Sequence, residues 1–296
     1  MAFRNIIGQS KTKEQLVQLV NSKRLSHAQL FLGKPGSGHF ALAIAYAQMV
    51  NCDNPKPNDS CGECSSCKKF GKFIHPDLHF SFPVIRRTKS PSPSLASDWI
   101  NEWRGMLTES KYITLTKWLE TIDAGDKQPN ISIQECHDII KKLSFHSFEG
   151  KYKVLIMWLP EFLGKEGSSL LKLIEEPPKQ TLILLVTNNT ENILNTILSR
   201  TQLIKVPSIQ MNDIAQCLVD QFNIDNTRAI QIAKVADGNW NQAIQQILEN
   251  EDTYHELLAQ CIKNGIRKDT VESIKWSEYM ASLPKNTQKN WLRYSI

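Results

Sequence analysis

Four of the seven cysteines crowd into one short stretch, spaced Cys52-x8-Cys61-x2-Cys64-x2-Cys67. A Cys-x-x-Cys pair brings two thiolates within reach of one ion, and two overlapping pairs with a fourth Cys complete a tetrahedral shell. Gly62, Pro55 and Pro57 supply the turns such wrapping needs. The expected occupant is structural zinc with no open coordination position; an iron–sulfur cluster or buried free thiols are the alternatives. His75 precedes Pro76 and reads as a loop or core residue, outside this ligand set. Cys136, Cys217 and Cys261 stand apart in apolar-periodic surroundings, so the odd count and the clustering argue for metal and against a disulfide framework.

A second constellation is Gly33-Lys34-Pro35-Gly36-Ser37-Gly38-His39-Phe40. Its glycines match the phosphate-cradling form G-x-x-x-x-G-K-[ST], in which loop amides hold phosphate oxygens, the Lys neutralises their charge and the hydroxyl ligates magnesium. His39 stands where the Lys belongs and Phe40 where the hydroxyl belongs. The loop therefore reads as a turn kept for its geometry, with residual nucleotide binding through the amides as the alternative. Hydrolysis also needs acids at the end of a neighbouring strand. The apolar run from Lys153 ends instead in Trp158-Leu159-Pro160-Glu161, where Glu161 reads as a helix-start acid. Arg200, in Ile197-Leu198-Ser199-Arg200-Thr201, is either a local salt-bridge former or an arginine finger aimed at a neighbour's γ-phosphate.

These residues need elements to position them. Apolar runs at Ala28–Leu32, Lys153–Leu159, Thr181–Thr187 and Leu203–Val206 have strand length and buried character, which gives four strands. Helical periodicity between them appears at Ser10–Leu25 with Ser10 as N-cap, Phe40–Val50, Ser132–Leu143, Ser168–Glu176 before Pro177-Pro178, and Ile193–Arg200. Strands alternating with helices predict a parallel sheet covered on both faces. Arg86–Ser97 reads as a loop, and Trp99, Trp103, Leu107, Leu115, Trp118 and Leu119 mark an inserted helical piece. Beyond Pro207 only helices are predicted, at Asp213–Phe222, Thr227–Ala236, Trp240–Glu249 and Asp252–Lys263.

Composition bounds the function. With 296 residues, 41% hydrophobic and 8% aromatic, the chain can bury two or three cores, which excludes wholesale disorder and a single stapled mini-domain. A formal charge of +5 permits nucleic-acid contact without requiring it. No apolar run approaches the ~18 to 20 residues of a membrane span, and the first residues hold no secretory pattern, so the sequence predicts a cytoplasmic protein without a membrane partner.

Taken in order, Ile6-Ile7-Gly8-Gln9, His27-Ala28-x-Leu30-Phe31-x-Gly33, the cysteine module, Lys153-Val154, Leu170-Leu171-Lys172-Leu173-Ile174-Glu175-Glu176-Pro177-Pro178 and Ser199-Arg200 resemble the bacterial DNA polymerase III clamp loader family. The missing loop Lys is similar to its non-hydrolysing delta-prime branch and unlike the gamma/tau motors. The resemblance implies an α/β AAA+ P-loop-type domain over 1–206, with the zinc module at about 50–75 and the helical insertion at about 86–127. It further implies a small all-helical lid domain over 207–250 and the start of a helical collar over 251–296. Cys52, Cys61, Cys64 and Cys67 match the family's zinc ligands. Ser199-Arg200 matches its Ser-Arg-Cys motif, with Thr201 in place of the Cys, whose Arg reaches into the adjacent motor's ATP site. Thr187 matches the sensor position, and Gly238-Asn239-Trp240-Asn241 lacks the Arg of the second sensor, in keeping with a site that binds no ATP in cis. The implied partners are the gamma/tau and delta subunits and, through the complex, the sliding clamp and primer-template DNA, in DNA replication. Two competing readings are a gamma/tau-like ATPase with an unusual loop and a stand-alone zinc-containing nucleic-acid binder. The modest charge and the lack of a basic, aromatic-interleaved stripe count against the second.

Overall fold

The apolar runs of strand length become strands of one parallel sheet, three of them inner and the fourth, near Leu203–Val206, at an edge. The computed structural model describes residues 2–86, 94–248, 251–267, 270–283, 288 and 291–292. Parts of the predicted Arg86–Ser97 loop and of the predicted collar lie outside these residues. In chain order the elements are α1 (Ser10–Asn21), β1 (Ala28–Gly33), α2 (His39–Val50), α3 (Ser65–Gly71), β2 (Leu78–Ser81), α4 (Ile100–Glu109) and α5 (Leu115–Thr121). Then come α6 (Ile133–Ser144), β3 (Lys153–Trp158), a 3-10 stretch over Pro160–Leu170, α7 (Leu171–Glu175), β4 (Thr181–Thr187), α8 (Asn195–Leu198) and β5 (Gln202–Val206). Helices α9 (Met211–Phe222), α10 (Asn226–Ala236), α11 (Trp240–Leu248), α12 (Glu251–Arg267) and α13 (Thr270–Ser282) follow.

The five strands lie in the order β2-β3-β4-β1-β5, every pairing parallel. Alternate residues feed two cores. Phe31, Val154, Ile156, Trp158, Leu182, Leu184, Val186 and Ile204 face one with α1, α2 and the Trp-bearing insertion, while Leu30, Leu155, Met157, Ile183 and Leu185 face the other with α6 and α7. Burial on both faces explains why these strands read as continuous apolar runs without alternation. Two compact units divide the chain, one ending at Asn241 and the other beginning at Gln242. Within the second, Leu257 and Trp291 are buried, with the Trp276 and Trp291 rings 5.1 Å apart.

Several expectations need correction. A fifth strand, β2, pairs with β3 at the sheet edge; its four residues include His79 and Ser81, too short and too polar to carry a core-strand signal. Ser10 is the first residue of α1, not its cap: Gln9 holds the cap position at φ 61° because its side chain is tied to the Ser37 and Pro207 carbonyls. Of the predicted Ser168–Glu176 helix, Leu171–Glu175 is α-helical and the residues before it end a 3-10 stretch kinked at Gly164. Helices α3 and α13 carried no strong periodic signal. The insertion packs on the sheet face beside the end of β2, where Trp103 stacks on Phe82 at 4.0 Å and Trp118 Nε1 donates to the Pro83 carbonyl at 2.7 Å.

Buried Asp77, at the entry to β2, ties down the turn before β3. Its carboxylate accepts the N–H groups of Phe148, Glu149 and Gly150 at 2.6 to 2.9 Å. Burial acts to raise its pKa, but the three donors outweigh it and hold the pKa below the ordinary 3.8. A depressed carboxylate pKa stabilises the fold above the unfolded value and loses that effect as pH falls through the folded one. Asp77→Asn is therefore expected to cost about 1 to 3 kcal/mol at pH 7. Denaturant melts at stepped pH should show the gap to wild type closing below pH ~4.

Candidate functional site

The glycine loop joins the end of β1 to the start of α2, where helix-terminal amides favour anions. A Cβ on Gly33 would lie 2.5 Å from Ser37 Oγ and 3.0 Å from His39 Cβ. Gly36 and Gly38 sit at φ +77° and +84°, a region side chains avoid. Other parts of the chain have closed on this loop. A Cβ on Gly36 would meet Asn239 Oδ1 at 1.8 Å, and Trp240 N–H donates to the Gly36 carbonyl at 3.2 Å. Tyr112, from the insertion, lies 3.0 Å from a Cβ built on Gly38, while its hydroxyl accepts the Ile7 N–H at 2.9 Å. Gln9 holds the Ser37 carbonyl from another side.

The side chains at the two altered positions point inward. His39 is 4% exposed with Nδ1 3.0 Å from Ser37 Oγ, and burial pushes its pKa down to about 4. The imidazole is thus neutral at pH 7 and offers a phosphate no charge. Phe40 packs edge-on against Trp103 and Trp158 in the core. At the ends of β3 and β4, the Thr187 hydroxyl lies 2.9 Å from Glu161 Oε2 and 2.6 Å from the Asn189 carbonyl. Burial raises the Glu161 pKa. Thr187 pairs in register with Leu32, so it flanks the glycine loop.

Arg200 lies elsewhere. Gly33 pairs with Val206 and Gln29 with Gln202, so the loop sits at the carboxyl end of the sheet and Arg200 before its amino end. Four strand rows, ~13 Å, separate Gln202 from the loop's row, which puts Arg200 out of reach of its own loop. Its Nε donates to Glu175 Oε1, and Nη1 donates to the Thr196 carbonyl at 2.9 Å and to Ser199 Oγ at 3.2 Å. Both members of the ion pair are more than a third exposed. The structure therefore gathers Gly33, Gly36, Gly38, His39 and Thr187 at one end of the sheet and places Ser199 and Arg200 at the other.

The four cysteines converge. Their sulfurs lie within 4.8 Å of one another, with Cys52 to Cys61 at 3.5 Å and Cys61 to Cys67 at 3.8 Å. A tetrahedron of Zn–S bonds of ~2.3 Å sets its sulfurs ~3.8 Å apart, so these residues fit a metal ion. Backbone N–H groups of Glu63 and Cys64 aim at Cys61 Sγ, both at 3.4 Å, and pull its pKa down to about 6. His75 stays outside the cluster, its ring 4.5 Å from that of Phe70 and its Nδ1 accepting the Asp77 N–H. Lys151 Nζ donates to the Cys52 carbonyl at 2.6 Å, which ties the module to the start of β3.

Sequence reasoning missed Tyr112, Gln9, Asn239 and Glu175 as contributors. Gln9 and Glu175 lay inside quoted motifs without assigned roles, and Tyr112 carried no local signal.

A glycine loop between strand and helix, at the head of a parallel sheet, defines the class: an α/β protein built on a phosphate-loop scaffold. The chain belongs to the family described as DNA polymerase III, delta subunit, whose model matches residues 8–210. It is 25% identical over 255 residues to DNA polymerase III subunit delta' of Bacillus subtilis, covering 86% of this chain and 63% of that protein. To subunit delta' of Escherichia coli it is 27% identical over 194 residues, 64% of this chain and 45% of that protein. To subunit tau of Bacillus subtilis it is 26% identical over 250 residues, 82% of this chain and 36% of that protein. The chain thus spans between about a third and two thirds of the length of these relatives. Among the described residues, no helix is long and apolar enough to cross a membrane.

Metal analysis of the purified chain should find about one tetrahedral ion per molecule. Cys64→Ser is expected to lose that ion and lower Tm by several degrees, at ~2 to 4 °C per kcal/mol for a chain of this size. Unchanged metal content and melting would remove the cluster from the metal sites.

Proposed function

We propose that the chain is a delta-prime-like subunit of a DNA polymerase III clamp loader. It would take part in ATP-driven loading of a sliding clamp onto primed DNA during replication. Its AAA+ module acts as a rigid partner, its own nucleotide site is silent, and Arg200 serves as an arginine finger in the site of an adjacent gamma/tau-type motor. Ser199 helps hold that finger. Cys52, Cys61, Cys64 and Cys67 carry structural zinc. Partners are the motor and delta subunits, with clamp and primer-template DNA met through the assembly.

The observation that carries this reading is buried, neutral His39 in place of the loop's cation. Phosphate binding loses its charge-assisted contact there, and hydrolysis loses both the Lys and the magnesium-holding hydroxyl. Its second support is the separation of Arg200 from that loop: an arginine at the far end of the sheet can act on a nucleotide only in a neighbouring molecule. Relatives named delta' and tau match at similar identity, so the choice between them rests on these residues.

The test is ATP turnover by reconstituted gamma/tau-type and delta subunits with clamp and primed DNA, with and without this chain. The chain is expected to stimulate turnover. Arg200→Ala should leave assembly and melting unchanged while abolishing the added turnover, since an arginine finger supplies ~10³ to 10⁵ in rate at its site. Equal turnover with Arg200→Ala would return Arg200 to the surface ion pairs. Turnover by the chain alone would favour the motor reading.

A further inference from the structure

The geometry points to Glu175 as the positioning residue of Arg200, and this rests on the finger reading above. A guanidinium offers five N–H donors in a planar fork. Here Nε–H goes to Glu175 Oε1, and Nη1 goes to the Thr196 carbonyl and Ser199 Oγ. Among the described residues no hydrogen bond engages Nη2. Three acceptors from two elements therefore hold the plane at Nε and at Nη1 and leave the Nη2 donors for an oxygen outside the chain. A phosphate oxygen is an acceptor suited to a charge-assisted bond from such an N–H group.

The placement of Glu175 supports a role in rate more than in stability. It ends α7, immediately before Glu176 and Pro177, where a carboxylate opposes the helix dipole. Side-chain exposures of 44% for Glu175 and 37% for Arg200 put the pair among those that add little to folding. An unanchored arginine samples many rotamers, and a finger acts only when its donors already stand where charge develops. Thr196 and Ser199 lie within four residues of Arg200 and hold it only from its own segment. Glu175 is the contact from a distant element, so it sets the direction of the plane relative to the sheet.

The test uses the reconstituted assembly, with ATP and magnesium, and four forms of the chain: wild type, R200A, E175A and E175Q. E175A is expected to cut the turnover added by the chain ~5- to 100-fold through kcat, with KM for ATP, complex formation and melting unchanged. E175Q keeps an oxygen acceptor for Nε and should recover part of the loss. The double variant R200A/E175A should be no slower than R200A, because the two groups act as one unit. If R200A is inactive while E175A matches or exceeds wild type, Glu175 does not position the finger, although the finger reading survives. If R200A itself matches wild type, both fall together.

Discussion

The closure of the glycine loop by three distant segments is the contact on which the rest of the domain depends. Gln9 comes from the entry to α1, Tyr112 from the insertion and Asn239 from the segment before α11; all meet between Gly33 and Gly38. A Cβ on Gly36 would clash with Asn239, and one on Gly38 would crowd the Tyr112 ring. The loop's left-handed conformation is thereby put to structural use: its Ser37 and Gly36 carbonyls accept hydrogen bonds from Gln9 and the Trp240 N–H, and Asn239 and Tyr112 pack against Gly36 and Gly38. Backbone shaped for an anion has become the joint that fixes the N-terminal segment, the insertion and residues near 239 against the sheet.

Charge placement follows from the same arrangement. At the carboxyl end of the sheet the inward side chains are a neutral imidazole, an apolar ring and a protonation-favouring Glu161 that meets Thr187. At the amino end, Arg200 remains at the surface with its plane fixed by Glu175, Thr196 and Ser199. The cysteine module is joined to this frame through Lys151 at the start of β3 and Asn51 at the end of α2, whose amide bridges to the Tyr152 backbone.

Much of this was legible in the sequence because the signals were local. The three inner strands β1, β3 and β4 announced themselves through unbroken apolar runs, and the cysteine spacing named its own cluster. The altered loop residues were visible by register alone. What was not legible depended on tertiary contact. Strand β2 is held by β3 and the insertion, not by its own propensity. Gln9 takes a left-handed conformation because of partners 28 and 198 residues away. Tyr112 has no periodicity or motif to mark it, and Asn239 lay in the second-sensor segment without a role of its own, since each contact is with a glycine more than 70 residues distant. The 3-10 stretch after β3 read as α-helix in part because the Gly164 kink leaves no compositional trace.

The proposed function requires a glycine loop that is silent toward nucleotide in this chain. Titration of ATP with magnesium into the isolated chain, followed by calorimetry, tests it most directly. Loss of the Lys and hydroxyl contacts, worth roughly 1.5 to 3 kcal/mol each, predicts no measurable heat of binding at micromolar ATP. A saturable, magnesium-dependent isotherm with micromolar Kd would contradict the account and place a working nucleotide site where His39, Tyr112 and Asn239 now stand.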